Sequence, residues 1–345
     1  MFTELGLDPG ASVFRVCVRG STDITCEPAL LVKRHEDGAL LCGETAIKLI
    51  EHTNERVSYA YPFDRMFGKT SDHMLTLMRY AFNRADAPSP KRALLAVPFY
   101  EDSSMDAAYV EIMAQAGASE CFLLRSPIAA HIGDGYTFDR ARCILEIGAA
   151  RANLCIVAGG KLVYGKTVRM GGNHFDAALV SHMSEYFGIR ISSTVAERAK
   201  RQIGTLSTRT GRNACEVQGR LGNGERITHR LKSEDMIPAF EGPTSAILRE
   251  LCTALDNLPA DAIKDVLSDG IFLYGGGARL RGFDRLIAGV TGVKTILRAE
   301  DDQLVIKGIK MALDALPTQI RPLYGDVTAR VLKLFSPAVT PAAVR

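Results

Sequence analysis

Ile271-Phe-Leu-Tyr-Gly-Gly-Gly-Ala-Arg-Leu-Arg-Gly-Phe283 is the segment around which the rest of the chain makes sense. Ile271 to Tyr274 are apolar and β-prone, as in a buried strand. Gly275, Gly276 and Gly277 follow, and then Arg279–Gly292 carries Leu280, Phe283, Leu286 and Ile287 at helical spacing. A strand that ends in a glycine run and opens into a helix lets a ligand lie on the backbone. The N–H groups of the helix start then face an anion or a nucleotide. A flexible turn has the same local appearance, so the neighbouring segments decide.

At 345 residues the chain is long enough for two lobes with their own cores. Hydrophobic residues make up 47% and charged residues 23%, ordinary values for a globular protein. A net charge of +3 is too small to make nucleic acid a main partner. The eight cysteines, at 17, 26, 42, 121, 143, 155, 215 and 252, form no CxxC pair and follow no secretory signal, which reads as reduced thiols in cytoplasm. The histidines form no HExxH pair, and no run of about 18 apolar residues crosses a membrane.

Taken in order, the chain repeats one design. Glu4-Leu-Gly-Leu-Asp-Pro-Gly-Ala-Ser leads into Val13–Val18, a further apolar run at Ala29–Val32 and a helix over 44–51. Later, Cys143-Ile-Leu-Glu-Ile-Gly-Ala-Ala leads into Asn153–Val157, Lys161–Val168 and a helix over 174–187, with Ala158-Gly-Gly-Lys161 as a hairpin turn. Each half carries an acidic residue, Asp8 or Glu146, just before a turn glycine, Gly10 or Gly148. Two such halves indicate an internal duplication. Between and after them the pattern is α/β: helices over 72–84, 103–116, 127–133, 194–206, 233–258 and 303–315, strands at Arg92–Val97 and Glu120–Leu124, and a hairpin around 214–230. Pro127 suits a first helical turn, and Ser233-Glu-Asp an N-cap with acidic first-turn residues.

Four pieces carry a family resemblance: Ser126-Pro-Ile-Ala-Ala-His-Ile-Gly133, Val168-Arg-Met-Gly-Gly-Asn-His-Phe-Asp176, Ala196-Glu-Arg-Ala-Lys-Arg-Gln-Ile-Gly204 and Leu273-Tyr-Gly-Gly-Gly-Ala-Arg-Leu-Arg-Gly282. Their order and intervals, with the duplicated halves, resemble the actin/Hsp70 nucleotide-binding fold and, within it, the bacterial MreB family, over roughly residues 4–314. MamK-type magnetosome actins and plasmid-segregation actins share much of the pattern. The resemblance implies an α/β, actin-like (ribonuclease H-like, duplicated) fold with two lobes around a nucleotide cleft. Lobe I would be 1–140, lobe II 141–315, and 316–345 a C-terminal extension.

By the same resemblance, ATP or ADP would lie between the lobes, with Asp8 and Glu146 holding a Mg²⁺ ion through water. Gly10 and Gly148 would mark the two phosphate turns. Gly171 and Gly172 would approach sugar and phosphates, and Gly275, Gly276 and Gly277 would pass under adenine and the α-phosphate. Glu197, Lys200 and Arg201, at i, i+3 and i+4, share one helical face and match the family's ribose and base contacts. Several positions depart from the pattern. The small polar residues after Gly10 are replaced by Ala11, Val13 and Phe14. The family's Asp-Ile-Gly-Gly-Gly-Thr-Thr is here Glu146-Ile-Gly-Ala-Ala-Arg-Ala, so Ala149 and Ala150 add Cβ atoms and Arg151 stands where a threonine hydroxyl is expected. Arg151 either meets a phosphate directly, offsetting weaker Mg²⁺ binding, or fills a vacant pocket or pairs with Glu146 or Asp8. The family's water-polarising Glu before the proline is Ser126, preceded by Arg125. Serine is a poor general base without a proton acceptor, so the chain is at most a weak ATPase.

Other residues read more plainly. His131 is a packing residue between lobes rather than a base, Met74 and Met78 are core, and the Arg/Lys cluster over 198–220 is a solvated face or a longitudinal filament contact. Neither an N-terminal amphipathic helix nor an apolar loop is visible as a membrane anchor, the Asp86–Pro90 loop being Ala, Pro and Ser. In the extension, Asp326–Phe335 forms one short helix with Val327, Val331, Leu334 and Phe335 on an apolar side, which packs on the protein's own surface or meets a membrane or partner. Ser336–Arg345, rich in Ala and Pro, reads as disordered.

Two functions follow from the resemblance. One is an MreB-like actin that self-associates into cytoskeletal filaments, in the cytoplasm or at the inner face of the membrane, and scaffolds cell shape or positions envelope or organelle machinery. The other is a non-hydrolysing pseudo-actin that co-assembles with another MreB-like protein or a membrane-associated partner. A sugar kinase on the same fold is disfavoured, since no catalytic Asp with a sugar-binding loop can be assigned.

Overall fold

In the computed structural model, residues 3–52, 57–62, 71–85, 91–99, 104–207, 213–298, 301–316 and 324–336 are described. The Asp86–Pro90 loop and residues 337–345, on which two expectations rest, lie outside them. The chain divides into two units. The first takes Met1–Ala141, Val157–Lys166 and Gln303–Arg345, and the second Arg142–Ile156 and Thr167–Asp302. A linear cut at 140 and 315 does not follow these units, because the hairpin tip 157–166 and the helix after 303 group with the first.

In the first unit, β1 (Thr3–Pro9) turns at Gly10 and returns antiparallel as β2 (Val13–Val18), with β3 (Ile24–Pro28) beside it. β4 (Leu31–Arg34), β5 (Leu40–Cys42), α1 (Gly43–His52) and β6 (Val57–Ala60) make a small layer, the strands in order β5-β4-β6, over buried Leu30, Val32 and Ala46. Then come α2 (Ser71–Arg84), β7 (Lys91–Val97), α3 (Ser104–Ala116), β8 (Ala118–Arg125) and α4 (Ser126–Gly133). β1, β7 and β8 run parallel, and Arg92 to Val97 are all buried, as expected of parallel strands covered on both faces. Met74, Leu77 and Met78 of α2 lie in this core.

The second unit holds β9 (Arg142–Ile147), most of β10 (Ala152–Ala158), the end of β11 (Lys161–Val168), α5 (Gly172–Phe187), α6 (Ser193–Ile203), β12 (Ala214–Arg220), β13 (Arg226–Lys232), α7 (Ser233–Asp256), α8 (Ala260–Asp269), β14 (Ile271–Tyr274), α9 (Phe283–Thr291) and β15 (Thr295–Leu297). The chain then returns to the first unit with α10 (Leu304–Ala315), β16 (Tyr324–Asp326) and α11 (Thr328–Leu334).

Sheet order makes the duplication explicit. One sheet reads β3-β2-β1-β7-β8 and the other β11-β10-β9-β14-β15, strand for strand, with β16 as one extra strand beyond β8. Two local readings change. The helix expected from Arg279 starts only at Phe283: residues 276–279 wind as a 3-10 turn, and Gly282, at φ +85°, reverses the chain before α9. β16 has no local signature, since three residues with a glycine between them read as coil. It is a strand because the edge of β8 offers it hydrogen bonds, Tyr324 opposite Cys121 and Asp326 opposite Leu123. The extension packs on the first unit, with Val327, Val331 and Leu332 buried and Leu334 exposed. Among the described residues no helix is long and apolar enough to cross a membrane.

Candidate functional site

Each unit brings part of the expected site together, and the second carries most of it. β9 and β14 run parallel with Glu146 opposite Tyr274, so Glu146 and the glycines after Tyr274 emerge at the same strand end. In open α/β sheets ligands bind at the carboxyl ends of strands. The turn after β9 is closed by the Gly148 N–H donating to Arg151 O at 2.8 Å. Gly171 packs on that turn: a Cβ there would stand 2.5 Å from Arg151 N and 2.7 Å from Ala149 O. The next two N–H groups, of Gly172 and Asn173, donate to Gly148 O (2.9 Å) and Ala149 O (2.7 Å). The start of α5 is therefore bonded to the turn backbone itself, which holds the loop in one shape. Gly275, at φ +91°, passes over Ile147, and Gly277 lies against the same residue, while Gly276 opens on free space.

The polar groups have definite partners. Glu146 Oε2 accepts from Asn153 Nδ2 at 2.9 Å, and Asn153 Oδ1 accepts from Thr167 Oγ1 at 2.7 Å. Lys200 Nζ donates to Gly172 O at 2.7 Å and to Asp176 Oδ2 at 2.8 Å, fastening α6 to α5. Burial pushes the Asp176 carboxyl above the ordinary carboxylate range, with Lys200 opposing it. Glu197 and Arg201, one helical turn apart, pair with each other at 2.7 Å on the open side of α6. Lys200 thus bonds directly to α5, while Glu197 and Arg201 pair with each other and act on the same Asp176 electrostatically. Arg151 is half-buried at the end of the turn.

The first unit holds Asp8, Gly10 and Ser126. Asp8 Oδ2 lies 3.4 Å from Arg15 Nη1, both side chains largely out of water. Gly10 sits in the β1–β2 turn beside Val13 O. Ser126 is the buried first residue of α4, with Pro127 in the first turn. The preceding Arg125 guanidinium binds Pro98 O (2.7 Å), Asp106 (3.0 Å) and Asp326 (2.8 Å). His131 is fully buried, stacked on Tyr136 at 5.1 Å and against Phe138 at 5.2 Å. Among the described residues no three His, Cys, Asp or Glu side chains are grouped as a metal site.

Sequence reading alone missed Arg15, Asn153, Thr167 and Asp176 as partners of the expected groups. A signal was present for two of them. Arg15 follows Asp8 by seven residues and Asn153 follows Glu146 by seven, the spacing that sets residues opposite across these two turns.

The family described as MreB/Mbl protein matches residues 2–321. Cell shape-determining protein MreB of Pasteurella multocida (strain Pm70) is 27% identical over 340 residues, covering 94% of this chain and 96% of the relative. Cell shape-determining protein Mbl of Bacillus subtilis (strain 168) is 22% identical over 320 residues, covering 90% and 96%. Among solved structures, MreB5 of Spiroplasma citri bound to AMPPNP superposes with a TM-score of 0.81 at 21% identity, covering 90% of this chain and 96% of that one. A MamK double helical filament gives a TM-score of 0.79 at 17% identity, covering 92% and 100%.

Proposed function

The chain belongs to the MreB/Mbl protein family, and from that premise we propose that it is an actin-like filament subunit that binds ATP or ADP and hydrolyses ATP slowly or not at all. The observation that carries this reading is the convergence, within the second unit, of the Gly148–Arg151 turn, Gly171, Gly172 and Gly275–Gly277 at one strand end. That the Spiroplasma citri MreB5 structures hold AMPPNP and ADP supports a nucleotide as the ligand. The MamK filament supports self-association. Slow hydrolysis rests on Ser126, a hydroxyl where proton transfer needs a base. By the relatives' role, the filament would scaffold cell shape or position envelope or organelle machinery at the inner face of the membrane.

The alternative, a pseudo-actin that joins another filament, is favoured by one observation: both candidate cation-holding carboxylates have protein partners. High-speed pelleting with electron microscopy, run without nucleotide, with ADP and with ATP and magnesium, separates the two. Filaments formed only with ATP support nucleotide-coupled assembly. Filaments in every condition support a filament subunit freed from nucleotide. Their absence in all three overturns the filament reading in favour of the interaction module.

A further inference from the structure

We propose that the groove between α3 and β16 docks a basic helical segment of another protein, one whose apolar face enters the groove while its lysines or arginines meet the acidic rim.

α3 buries one face, with Tyr109, Ile112 and Met113, in the core of the first unit. A second apolar stripe, Ala107, Val110 and Ala114, lines the groove. Its i, i+3, i+7 spacing is that of one helical face. Ala107 and Ala114 are exposed and Val110 is half-buried. Leu123 of β8 and Asp326 of β16 complete the lining, around a volume of about 440 Å³, within the usual range of ligand clefts. Alanines two turns apart let a second helix come close, because the side chains at a contact set the distance between helix axes. The family match ends at residue 321, so the β16 wall is supplied by the extension.

Charge decides what fits. Asp106, Glu111 and Asp326 all stand on the lining. One guanidinium, of Arg125, serves both Asp106 and Asp326, and Glu111 accepts from the neutral Gln115 amide at 3.1 Å. Three carboxylates around one cation leave two negative charges in excess. Glu111 is exposed and Asp326 about a third exposed, so both face incoming charge from solvent. An acidic partner is repelled, a wholly polar one leaves the apolar stripe uncovered, and a flat bilayer does not enter a groove. A helix with leucines on one face and lysine or arginine beside them covers the stripe and meets the rim at once, the charges setting specificity.

The test is fluorescence anisotropy of the full chain with a labelled peptide of about 14 residues, or about four helical turns, with leucine on one face and lysine on the other. A dissociation constant of roughly 100 μM or tighter is expected, weakened by salt because the rim is open to solvent. Ala114→Arg, which blocks the groove, and Glu111→Arg, which reverses the rim, should each lose about tenfold or more. Both introduce a good helix former at an exposed position, and an unchanged melting temperature shows the fold intact. On binding, hydrogen exchange should slow across Ser104–Ala116 and Tyr324–Asp326 and stay unchanged in the second unit. Equal binding by a peptide with glutamate for every lysine, unchanged binding by both variants, or no binding at about 1 mM overturns the proposal. So does loss of self-association in Ala114→Arg when the unaltered chain binds no peptide, which assigns the groove to a second copy.

Discussion

Arg15 lies directly opposite Asp8 across the β1–β2 turn, Nη1 3.4 Å from Oδ2, in the place that Asn153 takes opposite Glu146 in the other half. Each duplicated turn therefore sets its acidic residue against the side chain seven positions on. Arg15→Leu would remove the Arg15–Asp8 pair from a poorly hydrated place, at a cost of about 1–3 kcal/mol. A lower urea midpoint with an unchanged slope would show it. Arg15→Lys should lose less.

Gly308 of α10 meets α4 backbone to backbone: a Cβ on Gly308 would stand 2.5 Å from the Ala129 carbonyl carbon and 2.9 Å from Gly133 N. No side-chain rotation relieves an overlap with backbone, so the two helices must move apart. Gly308→Ala should destabilise by about 1–3 kcal/mol or more, the usual range for overpacking, while Gly289→Ala on α9, where a Cβ meets nothing within 4 Å, should not. Paired thermal melts decide.

Asp326 ties the C-terminal strand to Arg125, one residue before α4, and Thr328 N caps onto its Oδ1 at 2.8 Å. The carboxylate is about a third exposed, so solvent screening limits the effect of Asp326→Ala to about 1 kcal/mol. The local readout is sharper: hydrogen exchange should quicken across Tyr324–Leu334 and stay unchanged in the second unit.

The raised pKa of Asp176 gives a pH dependence of definite sign. The native state holds this proton more tightly than the unfolded chain does, so the contribution to stability falls as pH rises from the unfolded value toward the folded one. Asp37 runs the other way. Held down at about 2 by Arg34, its contribution is present above the unfolded value of 3.8 and lost as pH falls toward 2. Asp176→Asn should flatten the first segment of a melting-temperature-against-pH curve and leave the acid limb in place.

Restoring a base should restore turnover. Ser126→Glu combined with Ala149→Gly and Ala150→Gly should raise phosphate release from ATP by about 10²-fold, the lower range for general base catalysis. Glutamate at the first position of α4 also suits the positive end of that helix. An unchanged rate would mean that hydrolysis is limited elsewhere.

The chain's linear pattern determined the elements whose cause is local. Apolar runs that end in glycine fix β9 and β14, and the 3.6-residue period of Met74, Leu77, Met78 and Phe82 fixes α2, because burial of one face and backbone freedom at a turn are properties of a few neighbouring residues. The acidic–glycine turns and the duplication were legible for the same reason. Tertiary structure decided what depends on distant segments. β16 exists only because the edge of β8 accepts it, and α9 starts late because Gly276–Arg279 wind as a 3-10 turn and Gly282, at φ +85°, precedes the helix. Lys200 turns to Asp176, 24 residues away in sequence, and Gly133 needs its missing side chain only because α10 returns to it. A charge or a small residue is plain in the sequence, but what neutralises the one or crowds the other is set by segments that only folding brings together.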